Sequence, residues 1–156
     1  MSIKIVMVCL GNICRSPLAE GILASKLPKN QFVVDSAGTG NWHVGSSPDK
    51  RSIAVAKKKG VDISQQRAAH FTSAFFEQYD YIFVMDRSNY KNVIQMTTHS
   101  NHREKVFYIL DALYPDQKAE VPDPYYDEIS AFEEVFQMLD QSCSILAKKL
   151  IAKHSR

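Results

Sequence analysis

Four short apolar runs, separated by longer amphipathic segments, are the feature that most limits the folds open to this chain. The runs lie at residues 3–9, 32–36, 81–85 and 106–109. Between and after them, apolar residues recur every three or four positions, which is the spacing of a helix with one buried face. Because strands that alternate with helices pair in parallel, we predict an α/β fold of three layers. Its centre is a four-stranded, parallel, twisted sheet with helices on both faces.

Glycines, prolines and capping residues predict where the helices begin and end. Gly60 follows the second helix, and Asp86 can cap the fourth. Residues 97–104 are predicted to be a polar loop, and residues 110–123 to be mostly irregular. Since no internal boundary divides the 156 residues, the chain 1–156 is predicted to be a single domain. The five predicted helices cover residues 16–27, 49–59, 72–77, 86–96 and 130–152.

The sequence VCLGNICRSP at residues 8–17 follows the first predicted strand and opens the first predicted helix. Cys9 would lie at the carboxyl end of that strand, where ligands bind in parallel sheets. Arg15 can bind a tetrahedral oxyanion through two parallel hydrogen bonds, and backbone amides at a helix start attract the same charge. A cysteine in such surroundings favours its nucleophilic thiolate form, so these residues predict a site that binds and attacks an oxyanion. The alternative is that Cys9 is a buried core residue.

Composition argues against several other functions. A net charge of +2, with one short basic run at residues 57–59, does not predict a nucleic-acid partner. No apolar segment is long enough for membrane insertion, and the first nine residues lack a signal-peptide pattern, so we predict a cytoplasmic protein. Three cysteines do not form a disulfide framework, and the five histidines are scattered. We therefore predict no metal and no cofactor.

Residues 8–17 resemble the phosphate loop of the low-molecular-weight protein tyrosine phosphatases. Residues 123–126, Asp-Pro-Tyr-Tyr, resemble the acid loop of the same family, and residues 34–37 and 84–86 match two further motifs. The resemblance extends from about residue 3 to residue 152. It implies an enzyme that hydrolyses phosphotyrosine proteins and aryl phosphate monoesters, with inorganic phosphate as product. It also implies that the phosphate loop comes directly after the first strand.

The resemblance assigns the chemistry to three residues. Cys9 would attack phosphorus and form a cysteinyl-phosphate, and Arg15 would bind the oxygens of the transferring group. Asp123 would protonate the leaving oxygen and then act as base for the water that hydrolyses the intermediate. From spacing alone, Asp123 is better explained as a turn residue before a proline. The phosphate-binding residues implied are Leu10, Gly11, Asn12, Ile13, Cys14 and Arg15.

An aromatic substrate cleft is a further expectation. Trp42, the one tryptophan, lies in a polar loop, where it is either a core anchor for that loop or a wall of the cleft. By resemblance, Trp42, Tyr125 and Tyr126 would flank an aryl ring, and Leu10 and Ile13 would form apolar sides. Such a cleft favours aryl phosphates, because only a long side chain reaches the loop at its base.

Three residues are implied as support for the phosphate loop. Asn12, by resemblance, adopts an unusual backbone conformation and bonds to Ser36, while Ser16 can donate a hydrogen bond to the thiolate. Many members of the family carry a histidine just after the position of Ser64, where this chain has Gln65. We therefore expect the support network to be connected differently here.

The other two cysteines have separate explanations. Cys14 is either a small apolar residue that packs the helix start or a redox partner that traps an oxidised Cys9 as a disulfide. Cys143 fits the apolar face of the last predicted helix and is predicted to be core.

Two other functions stay open for such a loop. An arsenate reductase of the same fold needs two further cysteines after the third strand, and this chain has none between Cys14 and Cys143. A phosphotyrosine-binding module without turnover would lack the nucleophile or the acid, yet both residue types are present. We expect the protein to be a monomer or a weak dimer.

Overall fold

The strands form one parallel sheet in the computed structural model, which describes residues 2–155. The order of the strands is β2-β1-β3-β4, and each neighbouring pair is parallel, with Cys9 opposite Gly38 at the carboxyl end of β1 and β2. The four-stranded parallel sheet predicted from the sequence is therefore confirmed. The strands are β1 (Ile3–Cys9), β2 (Phe32–Gly38), β3 (Tyr81–Val84) and β4 (Val106–Tyr108).

Of the six helices in the described part of the chain, five lie in the connections between these strands. A 3₁₀ turn at Ile109–Ala112 and then the sixth helix follow β4. Within residues 2–155, no helix combines the length and the apolar character needed to span a membrane. The helices are α1 (Arg15–Lys26), α2 (Lys50–Lys58), α3 (Phe75–Gln78), α4 (Arg87–Ile94), α5 (Ser100–Arg103) and α6 (Ile129–Lys153).

The prediction of a loop over residues 97–104 is wrong, because this segment contains the short helix α5. Local hydrogen bonds hold the turn. The hydroxyl oxygen of Thr97 accepts the backbone N–H of His99, and the side chain of Arg103 donates to the carbonyl of Thr97. A helix of one turn has no room for apolar periodicity, so the pattern that reveals longer helices is missing here.

Two apolar clusters lie on opposite faces of the sheet, as the alternation of side chains along β1 requires. Ile5 and Met7 point to a cluster that includes buried residues of α1 and α6. Val6 and Val8 point to the other cluster, which is built around Phe71 and its neighbours. All four β1 side chains are fully buried, so an uninterrupted apolar strand is what this position needs. The result is a three-layer α/β architecture.

The connections after β1 and β3 leave in opposite directions along the sheet. The segment that contains α1 leads from β1 outward to β2, whereas the segment that contains α4 and α5 leads from β3 outward to β4. Parallel sheets open a crevice at such a point, beside the carboxyl ends of the two strands. Cys9 ends β1, and Asp86 lies two residues after the end of β3. The fold thus brings these two side chains to one place.

Candidate active site

Asn12 organises the phosphate loop, which we define as residues 9–15 between β1 and α1. Its backbone has a positive φ of 57°, a conformation that asparagine tolerates better than most residues. The side-chain amide donates to the hydroxyl oxygens of Ser16 at 2.7 Å and Ser36 at 2.9 Å. The side-chain oxygen accepts the backbone N–H of Ala69 at 2.9 Å. One buried side chain therefore ties the loop to α1, to β2 and to the segment before α3.

The sulfur of Cys9 lies at the base of this loop. The hydroxyl of Ser16 is 3.0 Å from Sγ, and the backbone N–H of Asn12 donates to Sγ at 3.3 Å. The first turn of α1 begins in the same loop, and its partial positive charge also favours an anion here. These groups stabilise a thiolate, which is the form of cysteine that acts as a nucleophile.

Arg15 is the buried cation of the site, with only 3% of the residue exposed. Its Nη1 donates to Asp86 Oδ2 at 2.7 Å and to the carbonyl of Val121 at 2.9 Å. Burial alone would lower the pKa of Arg15, but the negative charges of Cys9, Asp86 and Asp123 outweigh it and raise that pKa. The guanidinium is therefore charged and held in a fixed orientation, as binding of a tetrahedral oxyanion requires.

Asp123 lies in the acid loop, which we define as residues 121–128. Its side chain is 45% exposed, and its Oδ2 is 3.8 Å from Arg15 Nη2. Its Oδ1 accepts the backbone N–H of Tyr125 at 3.1 Å, which holds the carboxyl group against its own loop. The start of the acid loop is anchored to the sheet, since the N–H of Val121 donates to the carbonyl of Met85 at 2.8 Å. Cys9, Arg15 and Asp123 therefore line one cleft.

The cleft has a volume of about 300 Å³. Aromatic side chains form its rim, with Trp42 69% exposed and Tyr126 94% exposed. The alternative that Trp42 anchors its loop in the core is wrong. Its ring instead lies over Gly40, where an added Cβ would come within 1.9 Å of the ring. The lining residues are Cys9, Leu10, Gly11, Ile13, Cys14, Arg15, Trp42, His43, Asp123, Tyr125 and Tyr126.

The support network extends behind the loop to a carboxyl group. The hydroxyl of Ser36 donates to Glu20 Oε1 at 2.6 Å, so that a chain of hydrogen bonds runs from Glu20 through Ser36 to Asn12. Burial raises the pKa of Glu20 from 4.5 to about 7, and the nearby charge of Asp35 adds to the rise. Gln65 is exposed. The network therefore ends on an acid rather than on the glutamine at the expected histidine position.

The second thiol of the loop, Cys14, is buried. Burial raises its pKa, and the charge of Asp49 raises it further, so Cys14 is a neutral thiol. Cys143, on α6, is completely buried in the same apolar cluster as Ile5 and Met7, which confirms that it is a core residue.

Four side chains near the site have roles that the sequence did not predict. Asp86 was expected only to cap a helix, which it does, yet it also pairs with Arg15. Glu20, His43 and Arg51 were assigned no role, although they contact Ser36, line the cleft and bond to the acid loop respectively. The contacts of Asp86, Glu20 and Arg51 each join different segments of the chain. The sequence within one segment does not reveal which residue of another segment will be its partner.

Comparison with known proteins assigns the family. Residues 4–156 match the sequence model of the family described as "Low molecular weight phosphotyrosine protein phosphatase". The protein of that name from Schizosaccharomyces pombe is 36% identical over 151 residues, which cover 93% of this chain and 96% of the yeast protein.

Solved structures agree with this assignment. A protein tyrosine phosphatase from Entamoeba histolytica superposes with a TM-score of 0.91 at 34% identity, covering 97% of this chain and 99% of that one. Vibrio vulnificus Wzb, solved in complex with benzylphosphonate, superposes with a TM-score of 0.86 at 33% identity, covering 96% and 99%. The chain therefore belongs to the low molecular weight phosphotyrosine protein phosphatases, and it is a phosphoric monoester hydrolase with a cysteine nucleophile.

Proposed function

We propose that Cys9, Arg15 and Asp123 are the residues that hydrolyse phosphotyrosine and aryl phosphate monoesters in this protein. One observation carries the proposal. A cysteine whose sulfur accepts the N–H of Asn12 and lies 3.0 Å from the hydroxyl of Ser16 shares a cleft with a buried guanidinium and a half-exposed carboxyl group. These are the three functions that a two-step phosphate transfer needs: a nucleophile, a cation for the developing charge and a proton donor.

In the first step, the thiolate of Cys9 attacks phosphorus. The sulfur–phosphorus bond forms while the phosphorus–oxygen ester bond breaks, and the bonding electron pair leaves with the aryl oxygen. Protonated Asp123 gives its proton to that oxygen, so the product leaves as a neutral phenol. Arg15 and the amides of residues 10–15 bind the other three oxygens as charge redistributes among them.

In the second step, water attacks the cysteinyl-phosphate. The Asp123 carboxylate accepts a proton from the water, the new oxygen–phosphorus bond forms, and the sulfur leaves as a thiolate. Inorganic phosphate is released and the starting state is restored. Ser16 supports both steps, because its hydroxyl lies 3.0 Å from the sulfur and can stabilise the thiolate when it leaves.

The aromatic rim supports a preference for aryl phosphates. Trp42 and Tyr125 stand beside the opening with large exposed ring surfaces, on which a tyrosine ring can stack. The complex of Vibrio Wzb with benzylphosphonate, a phosphonate that carries a phenyl ring, is consistent with the same preference. Because Arg15 and the loop amides supply the positive charge, we propose that turnover needs no metal. We also propose a cytoplasmic, monomeric or weakly dimeric protein.

The test is turnover of p-nitrophenyl phosphate by the purified protein in the presence of a chelator. We expect Cys9→Ser to abolish turnover, whereas the control Cys143→Ala should retain it. Activity that survives in Cys9→Ser would overturn the mechanism.

The role of the acid is tested by comparing two leaving groups. Asp123→Asn should lower kcat/KM for phenyl phosphate by about 100-fold or more, because the phenolate is a poor leaving group without a proton. The loss for p-nitrophenyl phosphate should be much smaller, since nitrophenolate leaves readily. Equal losses for the two substrates would rule out Asp123 as the acid.

A further inference from the structure

Arg51, in the first turn of α2, bonds to the far end of the acid loop. Its Nη1 donates to the carbonyl of Asp127 at 2.8 Å, and its Nη2 donates to the carbonyl of Tyr125 at 2.9 Å. The same guanidinium forms a two-point pair with Asp49, through Nε at 3.0 Å and Nη2 at 2.8 Å. Arginine alone among the side chains presents enough donors in one plane for such a set of partners.

The start of α2 is bonded to the phosphate loop as well. The backbone N–H of Asp49 donates to the carbonyl of Ile13 at 2.7 Å, and the hydroxyl of Ser52 donates to the carbonyl of Cys14 at 3.3 Å. Asp49 also caps α2 by accepting the N–H of Arg51. The start of α2 therefore holds the phosphate loop on one side and, through the guanidinium of Arg51, the acid loop on the other.

A packing contact restricts the guanidinium further. Its central carbon lies 4.3 Å from the ring centre of Phe132, a fully buried residue in the first turn of α6. Such a contact over a ring face is favourable for a planar cation. Arg51 is therefore held by its own helix, by α6 and by the loop it bonds to.

Asp123 lies between two fixed points of the acid loop. At one end, Val121 is buried and bonded both to Met85 and to Arg15. At the other end, the carbonyls of Tyr125 and Asp127 are bonded to Arg51. Between these points only Pro124 is buried, whereas Asp123, Tyr125 and Tyr126 are exposed, so that burial alone does not hold the carboxyl group of Asp123 over the phosphate loop.

We infer that Arg51 is a positioning residue for acid catalysis. It holds the acid loop at a fixed distance from the phosphate loop, so that Asp123 reaches the leaving oxygen. The inference rests on the proposed role of Asp123 as the acid. Arg51 touches neither the nucleophile nor the transferring group in this scheme. It acts through Asp123, and its removal should therefore matter only where the leaving group needs a proton.

The test is a double-mutant cycle between Arg51 and Asp123, measured with two substrates. Arg51→Ala should lower kcat/KM for phenyl phosphate by about 10- to 100-fold, the cost of displacing a catalytic group by about 1 Å. For p-nitrophenyl phosphate the loss should be less than about threefold. In the Asp123→Asn background, the further loss caused by Arg51→Ala should disappear for both substrates.

Two more variants complete the experiment. Arg51→Lys keeps the charge beside Asp49 but cannot donate to the carbonyls of both Tyr125 and Asp127, so it should show the same leaving-group dependence. If Arg51→Ala does not fold, Arg51→Lys is measured in its place. Arg103→Ala, which removes an arginine that donates to the carbonyl of Thr97 in another part of the molecule, is the matched control and should leave both substrates unaffected.

Each outcome is decisive. Equal losses for the two substrates, or a full Arg51 effect in the Asp123→Asn background, would overturn the inference and assign Arg51 to substrate binding or to general stability. If Asp123→Asn alone shows no leaving-group dependence, the proposed acid is wrong. If Asp123→Asn shows it and the Arg51 variants do not, only the role of Arg51 is refuted.

Discussion

Replacing Glu20 with glutamine should remove a pH-dependent loss of stability from the folded protein. The carboxyl group of Glu20 is partly buried and accepts a hydrogen bond from Ser36. It also lies near Asp35, whose own carboxylate accepts the hydroxyl of Tyr79 at 2.8 Å. The exposed residue Arg67 lines the same cavity. Burial, with a contribution from Asp35, raises the pKa of Glu20 to about 7, whereas the unfolded chain has the ordinary value of 4.5.

The direction of the effect follows from the protons bound in each state. Between pH 4.5 and about 7, folded Glu20 keeps a proton that the unfolded chain has released. The free energy of unfolding therefore falls as the pH rises through this window. The stability that the retained proton contributes is fully present below pH 4.5 and is lost as the pH rises through about 7. A rise in pKa of this size corresponds to about 3 kcal/mol, most of which is lost between pH 5 and pH 8.

Urea unfolding at pH 5 and pH 8 measures this directly. Between pH 5 and pH 8 the parent protein should lose about 2 to 3 kcal/mol of unfolding free energy that Glu20→Gln retains, because glutamine carries no proton to lose. Glu104→Gln, at an exposed position, is the control and should keep the parent's pH dependence. If the parent and Glu20→Gln lose stability equally between the two pH values, Glu20 does not titrate as the structure indicates.

Two other substitutions test the parts that hold the phosphate loop. Asp86→Asn should lower the free energy of unfolding by about 3 kcal/mol, because buried Arg15 loses its charged partner while the asparagine can still cap α4. A change of less than about 1 kcal/mol in urea unfolding would contradict this expectation. Gly38→Ala should weaken inhibition by inorganic phosphate and lower kcat/KM about 10- to 100-fold, since the added Cβ would lie 2.8 Å from the carbonyl of Leu10 and displace the phosphate loop. An unchanged inhibition constant would refute the close approach of Gly38 to that loop.

The sequence predicts a strand or helix well where burial imposes an apolar pattern on it, and poorly where local hydrogen bonds hold it. The run Ile5 to Val8 is buried on both faces of the sheet, so its continuous apolar character predicts a central parallel strand. The long helix α6 has an apolar face that repeats over seven turns, and its predicted bounds are within one residue of the observed ones. In contrast, α5 is held by local hydrogen bonds of Thr97, which leave no periodic signal.

In the candidate site, the sequence predicts residues that are close in the chain but not the contacts between distant segments. Cys9 and Arg15 lie within one loop, so the loop conformation by itself brings them together, and a short motif is enough to predict the pair. The partner of Arg15, Asp86, is 71 positions away, and the carbonyls that bind Arg51 are about as distant. The motif at residues 84–86 marks Asp86 by resemblance, but the local sequence does not identify its partner, because a charged side chain in one segment is compatible with many others.

The sequence by itself determined the order of the strands and of the longer helices, and the loop that carries Cys9 and Arg15, because these follow from local backbone preference and from which faces must be buried. Tertiary structure alone decided which charges meet. It paired Asp86 with Arg15, bonded Arg51 to the acid loop over the phosphate loop, and placed Glu20 beside Ser36 in a partly buried position. Those choices depend on how the sheet and its helices pack, since only packing removes water from a charge and selects the one partner that remains within reach.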